Sequence, residues 1–131
     1  AFFHMPPAEF KEAYEKMKLG DHSVIYEHGS IGEKNEYFGI SNRPPHFFEK
    51  AVDNGWLKWI FCGHDHLNTL SLTYKGIRMT YGMSIDYLGY SGIAKQYIQR
   101  GATLITRKTD GNIDITMVPL TAVVSTRVRG A

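Results

Sequence analysis

The chain has 131 residues, of which 43% are hydrophobic and 13% aromatic, so it can bury the core of one domain and is not a disordered chain. Its 15 basic and 13 acidic residues are interspersed and give a net charge of +2, which excludes a strongly basic surface for nucleic acid and a polybasic membrane patch. No apolar run approaches the ~20 residues of a membrane-spanning helix. We therefore expect neither a nucleic-acid nor a membrane partner.

The first half of the chain predicts strands and helices in alternation. In chain order, the pattern indicates a short strand, an amphipathic helix, a long loop that contains a short strand, a second helix and a second strand. Their predicted bounds are 1–4, 8–19, 21–43 with the loop strand at 23–26, 45–54 and 57–62. A proline pair precedes the first helix, a second pair leads into the other with Pro45 as its first residue, and Gly20 and Gly55 end them. This order of elements is typical of an α/β layered fold.

The second half predicts antiparallel β structure. Two strands, 69–74 and 77–81, flank Lys75-Gly76, a two-residue hairpin turn in which glycine supplies the positive φ. Residues 82–101 are rich in glycine and tyrosine, and we expect Tyr81, Tyr87, Tyr90 and Tyr97 to pack rather than to line a cleft. Residues 102–108 and 113–119 form a second predicted hairpin, and residues 118–131 a frayed tail or edge.

Histidines follow two of the predicted strands. Residues 59–66 read WIFCGHDH, an apolar strand that stops at Gly63 and then presents His64 and His66. On extended backbone these two imidazoles share a face, roughly 6.5 Å apart at their Cα atoms, while Asp65 points away. Gly63 lets the chain turn sharply where the strand ends. His4 follows the first strand in the same way, so the pattern predicts a metal site at the strand ends.

The remaining cysteine and histidines indicate no further ligands. Cys62 is the only cysteine, which excludes an intrachain disulfide, and its place at the end of an apolar strand predicts a small buried hydrophobe. His22 and His28 fall in the long loop and His46 in the first turn of the second helix, and we interpret all three as surface histidines, with His28 beside a pocket as the alternative.

The motifs together resemble a known family. FHMP at residues 3–6, FCGHDHLN at residues 61–68 and Tyr81-Gly82 are similar to the C-terminal half of a calcineurin-like metallophosphoesterase, in the purple-acid-phosphatase-related branch. The resemblance extends from His4 to about Pro119. It implies an α/β fold of four layers, with two facing mixed β-sheets flanked by helices. Residues 1–131 would then be a single partial domain whose N-terminal half is absent.

The resemblance also implies a dinuclear metal centre. His4 and His64 would bind one ion and His66 the other, with iron, manganese or zinc as the divalent or trivalent metals. A hydroxide held by the ions would hydrolyse a phosphate ester, as in a phosphatase. Asp65 and Asn68 would orient a histidine or fix the loop, although they can equally satisfy backbone groups of the turn.

Several motifs of the family are missing from this sequence. The earlier half of such enzymes contributes Asp-x-His, Gly-Asp and Gly-Asn-His motifs, including the carboxylate that bridges the metals, and hard hydrolytic sites need those carboxylate oxygens. We therefore expect an incomplete or absent metal centre, an inactive isolated chain, and the N-terminal half of the same protein as its partner. Two alternatives stay open: a non-enzymatic binding or interaction domain on a degenerate scaffold, and a mononuclear zinc site built from the three histidines.

Overall fold

The chain divides into two units, Ala1–Gly82 and Met83–Ala131. Its structure, a computed structural model, describes residues 1–41, 46–96 and 99–120. Among these residues, no helix is both long and apolar enough to span a bilayer.

The first unit is a mixed five-stranded sheet with two helices. Its elements are β1 (Phe2–Phe3), α1 (Ala8–Lys18), β2 (Val24–His28), a 3₁₀ turn (Lys34–Glu36), α2 (His46–Asn54), β3 (Trp59–Cys62), β4 (Ser71–Tyr74) and β5 (Ile77–Tyr81). The strand order is β1-β3-β5-β4-β2, with β1, β3 and β5 parallel to one another. The predicted α/β class is therefore confirmed.

The register of the parallel strands aligns their carboxyl ends. Phe3 pairs with Cys62, and Cys62 pairs with Tyr81. Residues that follow β1 and β3 therefore leave the sheet at the same edge, where ligand sites of α/β sheets lie.

The core of this unit lies between the helices and one face of the sheet. Phe10 and Ala13 of α1 and Phe48 and Ala51 of α2 are buried against it. The sheet contributes the buried side chains Ile60, Leu72, Ile77 and Met79. Both helices follow the predicted bounds closely, and each ends at a glycine with positive φ, Gly20 at 77° and Gly55 at 67°.

The hairpin between β4 and β5 has the predicted turn. Lys75 and Gly76 both adopt left-handed φ values, 49° and 77°, which match the twist of two antiparallel strands joined by two residues.

The long predicted loop contains more strand than expected. β2 covers five residues instead of four and has a bulge between Tyr26 and His28. Three consecutive side chains, Ile25, Tyr26 and Glu27, are exposed, so the alternation that normally reveals a strand is weak here.

The second unit contains the second predicted hairpin, β6 (Gly101–Arg107) and β7 (Ile113–Pro119). Before it, the buried guanidinium of Arg100 donates hydrogen bonds to the carbonyls of Asp86 (2.7 Å) and Ile93 (3.3 Å), and it lies 5.0 Å from the Tyr87 ring centre.

The tyrosines do not all pack as predicted. Tyr81 is fully buried, but Tyr87 and Tyr90 are more than two-fifths exposed because they belong to a loop region rather than to a strand. Tyr97, Pro45 and the predicted tail beyond residue 120 lie outside the described residues. The facing arrangement of two sheets and the single partial domain stay predictions.

Candidate metal site

His4 and His64 meet at the carboxyl edge of the sheet. Their ring centroids lie 5.2 Å apart, with the rings tilted by 60°. The N–H of Gly63 donates to the carbonyl of His4 at 3.0 Å, which ties the end of β1 to the end of β3. His4 is exposed and the His64 side chain is 33% exposed, so both imidazoles are accessible. The structure thus brings these two predicted ligands into contact.

The backbone after β3 is not extended, so the predicted orientation of residues 64–66 is wrong. β3 ends at Cys62, and His64 takes a left-handed φ of 66°, uncommon for a residue with a Cβ. The Asp65 N–H donates to the Gly63 carbonyl at 2.8 Å, which closes a tight turn. Alternation of faces does not apply in such a turn.

Asp65 does not point away from the histidines. It is 5% exposed, and its Oδ1 lies 2.9 Å from Nδ1 of His64. The Tyr81 hydroxyl donates to Oδ2 at 2.5 Å, and the Gly39 N–H lies 2.9 Å from Oδ2 and 3.2 Å from Oδ1. An ionised carboxylate only accepts hydrogen bonds, so the proton of this pair belongs on Nδ1 of His64. In a neutral imidazole with its proton on Nδ1, Nε2 carries the lone pair, the form in which histidine binds metals.

Burial sets the protonation of the groups around Asp65. Burial, and then the hydrogen bond to Asp65, raises the pKa of Tyr81 far above its ordinary value, so the hydroxyl stays a donor. Burial, and then the charge of Asp65, raises the pKa of the Cys62 thiol. Cys62 is 4% exposed, which confirms the prediction of a small buried hydrophobe.

Asn68 fixes the loop between β2 and α2. Its side chain is fully buried, and Oδ1 accepts the backbone N–H groups of Gly32 (3.0 Å) and Glu33 (3.1 Å), while Nδ2 donates to the carbonyl of Tyr37 (3.0 Å). The Glu33 side chain returns to the N–H of Leu67 at 3.0 Å. Through these backbone groups Asn68 holds the segment that carries Gly39, and its side chain also hydrogen-bonds the Tyr81 hydroxyl.

The glycine that the site requires is Gly39 rather than Gly63. A Cβ on Gly63 would meet nothing closer than the His4 carbonyl at 3.8 Å, and the left-handed turn is made by His64 instead. A Cβ on Gly39 would lie 2.3 Å from Nδ1 of His64 and 2.8 Å from Oδ1 of Asp65. Sequence analysis missed Gly39 because it lies in a long loop, 26 positions from the carboxylate that it contacts.

His66 lies in the turn after Asp65 and is half-buried. Within residues 1–41, 46–96 and 99–120, no three histidine, cysteine, aspartate or glutamate side chains converge as metal ligands. The three-histidine zinc site is therefore not formed there. His4 and His64 suit one ion as nitrogen donors, but the carboxylate beside them, that of Asp65, is already held by Tyr81, Gly39 and Nδ1 of His64. The pair therefore fits only part of a dinuclear centre.

His28 is not a surface loop histidine, contrary to expectation. It ends β2, and its Nδ1 lies 3.2 Å from a guanidinium nitrogen of Arg78, while its Nε2 is buried without a hydrogen-bond partner. Burial, and then the neighbouring Arg78 charge, lowers the pKa of His28.

A cavity of about 570 Å³ adjoins His4. Its walls include the apolar side chains Phe3, Met5, Phe47 and Phe48, and the N-terminal residues of α1. An apolar cavity beside exposed imidazoles has the composition of a small-molecule site.

Comparisons with known proteins point to one family. The chain is 28% identical, over 90 residues, to "Probable inactive purple acid phosphatase 29" of Arabidopsis thaliana, a match that covers 69% of this chain and 20% of that protein. It is 38% identical, over 47 residues, to "Probable inactive purple acid phosphatase 14" of the same plant, a match that covers 36% of this chain and 12% of that protein. No protein-family model and no solved structure matches the chain. The chain thus spans a fifth or less of the curated relatives it matches, and it is similar to purple-acid-phosphatase-related proteins, the resemblance that its histidine motifs predict.

Proposed function

We propose that this chain supplies the histidine part of a metal-dependent phosphoesterase centre. In this proposal His4 and His64 bind one metal ion and His66 binds the second, while the carboxylate ligands come from sequence outside these residues. The observation that carries the proposal is the contact between the His4 and His64 rings at the carboxyl edge of parallel strands, 5.2 Å apart.

The supporting contacts favour metal binding over chance proximity. The hydrogen bond between Asp65 and Nδ1 of His64 leaves Nε2 available, the arrangement that carboxylate partners of metal-bound histidines create. The Gly63 to His4 hydrogen bond fixes the separation of the two ligand-bearing strand ends. When bound, the ions would polarise the phosphate ester and lower the pKa of a bound water.

The same donor set limits what the chain does alone. Two or three neutral imidazoles leave the charge of two cations uncompensated, and hydrolytic dinuclear sites use carboxylate oxygens to hold hard ions. We therefore expect no turnover of phosphate esters by these 131 residues, and turnover only where the missing ligands are supplied, for example by an N-terminal half.

A binding or interaction domain is the second candidate. Both relatives carry "probable inactive" in their names, and the described residues form no three-ligand cluster. In this reading the scaffold is kept, and the histidines have structural or recognition roles without metal.

Zinc titration of the chain separates the two candidates. We expect calorimetry to show Zn²⁺ binding that weakens at least 10-fold in His4→Ala and in His64→Ala, as loss of an imidazole donor removes much of the site. His22→Ala is the matched control, since His22 is exposed and distant in sequence from the pair. Equal zinc affinity in all four proteins, or no zinc binding by the wild-type chain, favours the interaction domain.

An aryl phosphate assay tests the second half of the proposal. The purified chain with added Zn²⁺ or Mn²⁺ is expected to show no hydrolysis above the metal-only blank. Turnover that disappears on chelation would contradict the assignment of the carboxylate ligands to sequence outside the chain.

A further inference from the structure

One buried side chain lies behind the imidazole pair and has no part in the proposed ligand set. Tyr81 is fully buried at the end of β5, and its hydroxyl reaches Oδ2 of Asp65 at 2.5 Å. The other carboxylate oxygen of Asp65, Oδ1, lies 2.9 Å from Nδ1 of His64. The three side chains therefore form a continuous line of hydrogen bonds from the core to the exposed edge.

We propose that Tyr81 is a positioning residue for His64, acting through Asp65 to hold the imidazole in its Nδ1–H tautomer and in one orientation. The proposal rests on the proposed metal-binding role of His64, to which it adds a residue that touches neither metal nor substrate.

The sheet fixes the position of the Tyr81 hydroxyl. Tyr81 pairs with Cys62 in the parallel register of β3 and β5, and the next N–H, from Gly82, donates to the Cys62 carbonyl at 2.8 Å. Its ring stacks on Phe10, with centroids 4.9 Å apart, and lies 5.8 Å from the Phe38 ring. A hydroxyl held in this way has little freedom to follow Asp65, so Asp65 adjusts to Tyr81 rather than the reverse.

Two donors hold Oδ2 of Asp65, which lies in a tight turn. The preceding residue, His64, has a left-handed φ of 66°, and the two donors are the Tyr81 hydroxyl and the N–H of Gly39. With Oδ2 held by Tyr81 and Gly39, Oδ1 faces Nδ1 of His64. Without the hydroxyl, one amide from a loop is left to orient the carboxylate.

The variant Tyr81→Phe tests the proposal, since it removes the hydroxyl and keeps the stacked ring. Tyr74→Phe is the matched control: Tyr74 is 4% exposed, stacks on Phe48, and donates to Glu12 at 2.8 Å, away from the histidines. Far-UV circular dichroism establishes that both variants fold like the wild-type chain.

The first readout needs no metal. Long-range ¹H–¹⁵N correlation spectra of the metal-free chain report which nitrogen of His64 carries the proton. We expect the Nδ1–H form in the wild type and in Tyr74→Phe, and a mixture of tautomers in Tyr81→Phe. An Nε2–H form in the wild type overturns the proposal, even if Tyr81→Phe does not fold.

The second readout is Zn²⁺ affinity by calorimetry. We expect Tyr81→Phe to bind Zn²⁺ about 10-fold more weakly than Tyr74→Phe. This is the low end of the loss in metal affinity seen when a residue that hydrogen-bonds a metal ligand is replaced. Identical tautomers and identical affinities in the two variants would refute the positioning role. If the wild type binds no Zn²⁺, the proposed function fails, whereas the tautomer comparison still decides the role of Tyr81.

Discussion

Replacing Gly39 by alanine should damage the candidate site more than the same replacement at Gly63. The new Cβ would lie 2.3 Å from Nδ1 and 2.5 Å from Cε1 of His64, and 2.8 Å from Oδ1 of Asp65, all shorter than real carbon contacts. The His64 ring is 33% exposed and can rotate outward, but it then loses its hydrogen bond to Asp65, which is worth about 1.5–3 kcal/mol for a charged partner. Asp65 is buried and cannot leave, so overpacking costs about 1 kcal/mol more.

We therefore expect Gly39→Ala to lower the free energy of unfolding by about 3 kcal/mol, or the Tm by about 10 °C for a chain of this size. Urea unfolding monitored by circular dichroism measures the first quantity. Gly63→Ala serves as the control, because its Cβ would meet only the His4 carbonyl at 3.8 Å, and we expect a change within ~0.5 kcal/mol. Equal stabilities of the two variants would show that the packing around His64 is loose and that the reasoning is wrong.

Three further predictions concern buried polar and ionisable groups. Asn68→Ala removes three hydrogen bonds to the β2–α2 loop and should lower the free energy of unfolding, measured in urea, by about 3 kcal/mol. Asn54→Ala is the control, since it loses one exposed hydrogen bond and should lower this free energy by less than ~1 kcal/mol. The pKa of His28 is lowered in the fold, so the unfolded chain takes up this proton at a higher pH than the folded chain does. The free energy of unfolding in urea should therefore fall as the pH drops below the ordinary histidine pKa of about 6.5. This fall should be smaller in His28→Gln, and an equal fall in the variant and the wild type would contradict the lowered pKa of His28. The Cys62 thiol, buried and with a raised pKa, should react with a disulfide reagent at pH 8 only after denaturant is added, and rapid labelling of the native chain would disprove its burial.

Local rules in the sequence predicted most of the first unit. Glycines ended both helices where expected, and Lys75-Gly76 made the hairpin turn between β4 and β5. The apolar runs before His4 and His64 became neighbouring parallel strands, which is why these two imidazoles meet. Each of these features depends on a few consecutive residues, so a sequence pattern can reveal it.

The contacts that organise the site depend on residues far apart in the chain. Asp65 accepts hydrogen bonds from Gly39, 26 positions before it, and from Tyr81, 16 positions after it, and no local pattern announces either contact. The left-handed backbone of His64 could not be predicted either, since the alternation of side chains between two faces holds only for extended backbone. The prediction that Asp65 points away failed for this reason.

β1 is short, so the edge of the sheet that carries His4 can open easily. β1 has two residues and, among the described strands, is an edge strand whose partner is β3, through bonds such as Phe61 N–H to the Ala1 carbonyl and Gly63 N–H to the His4 carbonyl. Few hydrogen bonds need to break for β1 to detach, so this edge should fluctuate open at a free energy well below global unfolding. An ion bridging His4 and His64 would oppose that fluctuation, and amide hydrogen exchange at Gly63 would then slow on metal binding while exchange in β4 and β5 stays unchanged. A ligand that binds both imidazoles would thus hold β1 against β3.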